Sequence, residues 1–240
     1  MVLIKDKETR SLLGCGIAVP VVFVGVILVE GALRPGYTWP HRFGSELALG
    51  ERGWVMIANF IVTGLLVMGF AAGLRRALAG RDGATAAPVL AALFGCCMIV
   101  GGVFVTDPKP GYPEGAVVPA EPTLHGTIHD ANPVPFYLTL IALVCVLARR
   151  FASEPGGRPW MWFSIVTAVA VPVTFALAAS SYDMESGSGG FHGLWQRINL
   201  AIGLGWVAAV AVRYLRAPGL DDRTKARTNA APSCPASPRA

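Results

Sequence analysis

Long apolar runs alternate along this chain with shorter polar stretches, six times over. They cover residues 12–33, 54–74, 87–105, 133–150, 160–179 and 194–214. Most approach the ~20 residues that carry an α-helix across ~30 Å of hydrocarbon at 1.5 Å per residue. Their backbone groups must find partners within the segment once in lipid, so helix is the expected conformation. The fourth run is the shortest, and two readings of its start stand open. Either residues 125–132 extend it as a helix, and Pro133 leaves the His129 carbonyl without its ladder partner. Or Asn132 caps it with Pro133 at the first position, and the preceding residues form a short helix of their own. The expected fold class is all-α: a polytopic bundle of six transmembrane helices within residues 1–216. The polar tail 217–240 has few large apolar residues and is expected to be disordered.

Composition agrees with that pattern. Of the residues 53% are hydrophobic and 15% charged, and mean hydropathy is +0.53, too apolar for a soluble domain of 240 residues. Charge then sets a direction. Six spans put both termini on one side, together with the connections at residues 75–86 and 149–159. Fifteen of the twenty Lys and Arg fall there, and only Arg34, Arg42, Arg52, Lys109 and Arg197 fall on the other side. The positive-inside rule makes the first side cytoplasmic, in a multi-pass protein of the cell (plasma) membrane. The pI near 9.1 therefore expresses topology and contact with a lipid bilayer; no nucleic-acid partner is expected. Oligomeric state is left open.

Lesser signals follow the same frame. Leu13-Gly14-Cys15 precedes its apolar run where a lipoprotein box would follow one, so the first segment is expected to be a retained helix. Cys15, Cys96, Cys97, Cys145 and Cys234 lie in or near spans or in the tail, and read as free thiols and packing residues. Gly69 and Gly73, Gly95, Gly101, Gly102, Gly203 and Gly205 are expected to let helices approach closely. Pro20 and Pro172 are expected to bend their spans, and Trp39, Trp54 and Trp195 to form an interfacial belt. The two halves show no internal repeat, which argues against a transporter built from inverted repeats.

Candidate chemistry gathers on the side poor in Lys and Arg, which holds all four histidines and nine of the acids. The stretch 106–130, TDPKPGYPEGAVVPAEPTLHGTIHD, sits between two spans. His125 and His129, one helical turn apart, have a spacing that zinc sites use, and His192 is the candidate third ligand. Asp107 is a candidate oxygen ligand, an acceptor that fixes an imidazole tautomer, or a general base, and Asp130 an ion-pair partner. Arg197 lies early in the sixth span, where an unpaired guanidinium costs several kcal/mol. Asp107 or Glu46 is its expected partner. Glu30 and Arg34, spaced i, i+4, read as a local surface pair.

These residues carry a resemblance. YTWPHRFGSELALGERGWVMIANFIVTGLL, GGVFVTDP, LHGTIHD and FHGLWQRINL together resemble the integral-membrane family called domain of unknown function 998, over about residues 12–214. The resemblance implies Ser45, Glu46, Asp107, His125, His129 and Arg197 as positions to test, and no activity. The set of one Ser, one Asp and three His is also loosely similar to alkaline-ceramidase-like membrane hydrolases. Those have seven spans and carry the His pair on the last.

Three functions fit. One is a non-catalytic membrane bundle: a sensor, lipid-binding or accessory protein. The second is a zinc-dependent hydrolase of a lipid or amphipathic substrate, with metal on His125, His129 and His192 and with Asp107, Glu46 or Ser45 catalytic. The third is a small-molecule carrier using the polar groups as a pathway.

Overall fold

Six apolar stretches become six helices, closed into a ring in chain order. The structure, a computed structural model, describes residues 6–80, 83–183 and 188–216. The tail 217–240, with Cys234, and Lys5, Arg81 and Glu185 lie outside the described residues. The helices are α1 (Lys7–Leu33), α2 (Gly53–Ala77), α3 (Ala86–Val103), the short α4 (Leu124–Ala131), α5 (Pro133–Ala152), α6 (Arg158–Ser180) and α7 (His192–Arg216). A 3-10 turn, Gly44–Ala48, follows α1, and a two-residue hairpin, β1 (Tyr182–Asp183) and β2 (Ser188–Gly189), precedes α7. Counting α4 and α5 as one span, six segments are long and apolar enough to cross a membrane.

Local chemistry sets the ends. The Asp6 carboxylate accepts from the backbone N–H of Glu8 and Thr9 at the start of α1. Pro at the first turn opens α5 and α6. Arg75, Arg76, Arg149, Arg150, Arg213 and Arg216 close α2, α5 and α7, where the helix dipole favours cations. That end is the basic end. The opposite, capped end carries residues 34–52, 104–123 and the hairpin.

The start of the fourth span combines both sequence readings. Asn132 keeps helical angles, φ −62° and ψ −28°, so the chain scarcely breaks between α4 and α5. The His129 carbonyl loses its usual partner at Pro133 and accepts instead from Asn132 N–H at 3.2 Å. The Asn132 side chain caps nothing; its amide donates to the Cys97 carbonyl on α3 at 2.9 Å.

Around the ring α1 packs on α2, α2 on α3, α3 on α5, α5 on α6, α6 on α7, and α7 returns to α1. Where α2 crosses α3 the backbones nearly touch. A Cβ on Gly64 would lie 2.6 Å from the Gly95 carbonyl oxygen, and one on Gly95 would lie 2.8 Å from that of Gly64. Gly203 meets Leu140 on α5, but Gly205 meets nothing within 4 Å, so the close approach expected there is absent. The half toward the basic end is filled by Leu13, Phe70, Leu74, Leu147, Phe151, Trp206 and Val210, all fully buried. The half toward the capped end is not filled.

Candidate functional site

Between the capped-end halves of the helices lies a cavity of about 440 Å³, within the usual range for small-molecule sites. All six spans line it. Phe23 and Ile27 of α1, Met56 and Phe60 of α2, Gly101 of α3, Phe136 of α5, Phe175 of α6 and Leu200 of α7 make an apolar lining. Polar groups converge on the same space: Ser45 and Glu46 from the 3-10 turn, Lys109 and Asp130, His129, Asn132, Tyr182, and Gln196 and Asn199 from α7.

Segment 34–52 is folded over the bundle by buried cations. Glu46 is 1% exposed; its carboxylate accepts from Arg42 at 3.1 Å and from Phe43 N–H at 2.9 Å. Burial pushes the Glu46 carboxyl above the usual carboxylate range, against the pull of Phe43 N–H and Arg42. The second arm of Arg42 donates to the Pro110 carbonyl at 2.8 Å, and its guanidinium lies 5.7 Å from the centre of the Tyr112 ring. Arg197, buried in the first turns of α7, donates to the carbonyls of Arg42 (3.0 Å) and Gly193 (2.7 Å) and to the Tyr37 hydroxyl. Tyr37 in turn donates toward the Arg42 and Phe43 carbonyls. Burial pushes the Tyr37 phenol up to about 12, with Arg197 acting the other way.

Arg197 therefore has no carboxylate partner among the described residues, neither Asp107 nor Glu46; main-chain carbonyls and a phenol disperse its charge instead. Glu30 and Arg34 are likewise not a surface pair. Glu30 is 4% exposed and binds both Arg34, at 3.2 Å, and Arg52. Arg34 extends to the Leu49 and Leu47 carbonyls, tying α1 to the segment that leads into α2. An ion pair buried like this costs a great deal to break from one side only.

Segment 104–123 is held separately. Asp107 accepts from the Thr123 backbone N–H (2.8 Å) and hydroxyl (2.6 Å), and Thr123 itself caps α4. A Cβ on Gly126 would collide with the Asp107 carboxylate, so glycine admits that carboxylate beside the helix start. Asp130 pairs with Lys109 at 3.3 Å and accepts from Thr106. His129 Nδ1 donates to the Phe104 carbonyl at 2.7 Å. His125 is exposed, its ring 5.3 Å from that of Phe104.

The histidines thus part company. His192 is fully buried at the start of α7, its ring 4.5 Å from Phe43 and 5.0 Å from Tyr182, and neither ring nitrogen has a hydrogen-bond partner among the described residues. Among the described residues no three His, Cys, Asp or Glu side chains gather as a metal-binding group. The expected union of His125, His129 and His192 around zinc is not assembled among the described residues. Of the expected site residues, Ser45, Glu46, His129 and Asp130 share the cavity; Asp107, His125, His192 and Arg197 do not line it. Sequence reasoning passed over Lys109, Asn132, Gln196 and Asn199, and the structural roles of Tyr37, Arg42 and Tyr112. Asn199 gave a signal, a carboxamide two residues beyond Arg197 in an apolar run.

No curated protein and no solved structure matches this chain. The family model described as protein of unknown function DUF998 matches residues 17–213. That match takes in four of the six membrane-crossing segments whole, most of the first and the last, and every residue of the cavity, and the chain belongs to the DUF998 family.

Proposed function

We propose that this protein is a membrane bundle that binds an amphipathic small molecule in its capped-end cavity, as a sensor, lipid-binding or accessory protein of the cell membrane. The observation that carries this reading is the lining itself. Aromatic and aliphatic side chains from five helices line the space, and polar groups from the two capping segments, α4 and α7 line it as well. A molecule with an apolar body and a polar head satisfies both. The distribution of Lys and Arg supports a capped end facing outward and termini facing the cytoplasm. The fully buried side chains of the other half, Phe70, Leu74 and Trp206 among them, favour a receptor over a carrier, because they fill the bundle toward the basic end.

The test is to fill the cavity. Ala178 lines it and is 2% exposed. Protein purified in lipid nanodiscs and examined by native mass spectrometry is expected to retain a stoichiometric small molecule, and Ala178→Phe to lose it while remaining folded. Identical spectra for the two would overturn the reading. Zinc is the cofactor that the His125–His129 spacing raises. The same spectra decide on it: stoichiometric zinc in wild type, lost in His129→Ala, would move the reading to a hydrolase.

A further inference from the structure

The cavity-binding reading becomes more specific when the hydrogen-bonding ends of the lining groups are assigned. Three side chains on the wall are tied by an N–H to a main-chain carbonyl of a neighbouring element. His129 Nδ1 meets Phe104 O at 2.7 Å, Asn132 Nδ2 meets Cys97 O at 2.9 Å, and Asn199 Nδ2 meets Val171 O at 2.6 Å. A carbonyl only accepts, so each contact decides which end of the side chain donates. A neutral His129 then carries its proton on Nδ1 and keeps a lone pair on Nε2. Both asparagines are fixed with their amide nitrogens outward and their carbonyl oxygens free. Among the described residues none of these three acceptor atoms has a hydrogen-bond partner, and none is sealed away as an orphan. Gln196 is held the opposite way, its Oε1 accepting from Gly44 N–H at 2.7 Å, so its amide N–H groups are left over.

Resting on that reading, we propose that the cavity selects an uncharged ligand whose head carries hydroxyl groups: a long-chain polyol ester or alcohol, with the chain among the aromatic residues. Three acceptors, one amide donor group and the Ser45 and Tyr182 hydroxyls match a head of hydroxyls, which donate and accept. A carboxylate or phosphate head would face three lone pairs and the Glu46 and Asp130 carboxylates. The one cation on the wall among the described residues, Lys109, is already paired with Asp130. A quaternary ammonium head offers no N–H or O–H to any of the acceptors and leaves all three unpaired.

The experiment uses the full chain in nanodiscs and three probes with a ten-carbon chain: 1-monodecanoylglycerol, decanoate and decyltrimethylammonium. Native mass spectrometry counts the copies retained. Monodecanoylglycerol is expected to be retained at least about tenfold better than either charged probe, the difference one lost hydrogen bond makes. Asn199→Leu and His129→Phe are each expected to reduce its retention about tenfold and not to reduce that of decyltrimethylammonium, which no longer strands the deleted acceptor. Equal or better retention of a charged probe overturns the head-group assignment and leaves the cavity reading standing. Retention of none of the three, with no change in Ala178→Phe, overturns both. The wild-type comparison needs no variant, so a variant that fails to fold does not rescue the proposal.

Discussion

Two helices of this bundle carry the same pair, His-Gly, in the first turn, and the two pairs meet their surroundings in opposite ways. At α4 the pair is His125-Gly126, at α7 His192-Gly193. Gly126 makes room for a side chain, the Asp107 carboxylate, and the histidine beside it stays in solvent. Gly193 makes room for main chain. A Cβ there would collide with the Arg42 carbonyl and stand 2.7 Å from the Trp39 carbonyl, and the histidine beside it is sealed between Phe43 and Tyr182. The comparison teaches that the glycine, not the histidine, is the informative half of each motif. One glycine lets a loop carboxylate serve a helix start. The other lets a whole segment lie on the bundle, where Arg197 and Leu194 N–H hold it by the Arg42 and Pro40 carbonyls.

The largest effect is expected from Gly193→Ala. Main-chain atoms on both sides cannot swing away, so segment 34–52 must lift and strand Arg197, Tyr37 and Glu46 away from their partners. A loss of at least about 3 kcal/mol, or failure to fold, is expected. Thermal unfolding in detergent reads it. A change below about 1 kcal/mol would mean that the segment is not docked as described.

A smaller loss is expected from Gly126→Ala, because a flexible carboxylate is what obstructs it. If Asp107 swings away, the cost is the cap contact, about 1 kcal/mol. The double variant with Asp107→Asn is then expected to cost scarcely more than Gly126→Ala alone. Additivity of the two changes would show that Asp107 and the α4 start do not depend on one another.

The docked segment also has a pH signature. Tyr37 ionises near 12 in the folded chain and near 10 when unfolded. The stability it contributes is present in full below pH 10 and is lost as pH rises toward 12. Tyr37→Phe is expected to flatten the alkaline fall by about 2 kcal/mol between those values, on the conversion of 1.36 kcal/mol per pH unit. An unchanged alkaline limb would place the Tyr37 phenol in water. Glu46 has the same sign: its raised pKa makes acid favour the folded chain at this position.

Much of the fold was legible because a bilayer imposes length. Six apolar runs became six spans whose ends moved by a few residues, mostly outward, as at α1, where Asp6 caps a helix that begins five residues before the apolar run. The site was legible only where polarity stood alone. Ser45, Glu46, His129 and Asp130 were visible as polar residues near one membrane face, and they do share the cavity. The partners were not visible, because they are main-chain carbonyls. Arg197, His129, Asn132 and Asn199 all donate to carbonyls 25 or more residues away, and a carbonyl leaves no mark in a sequence. Charge-to-charge reasoning therefore sent Arg197 to Asp107 or Glu46, and spacing sent His125 to a metal.

The smallest effects are expected at the two histidines themselves. Neither His192 ring nitrogen has a hydrogen-bond partner among the described residues, so His192→Phe keeps the aromatic contacts with Phe43 and Tyr182 and removes two buried polar atoms. Replacing an unpaired polar group by an apolar one of like shape is neutral or stabilising, by up to about 1 kcal/mol. His125→Ala removes an exposed ring and is expected to fall within about 0.5 kcal/mol of wild type. Because the two sites are far apart in role, the double variant should equal the sum. Thermal unfolding with and without added zinc checks all three. A loss above about 2 kcal/mol at His192, or a zinc-dependent stabilisation that either change abolishes, would mean that the buried ring has a ligand, and that the two His-Gly starts are more alike than their surroundings make them.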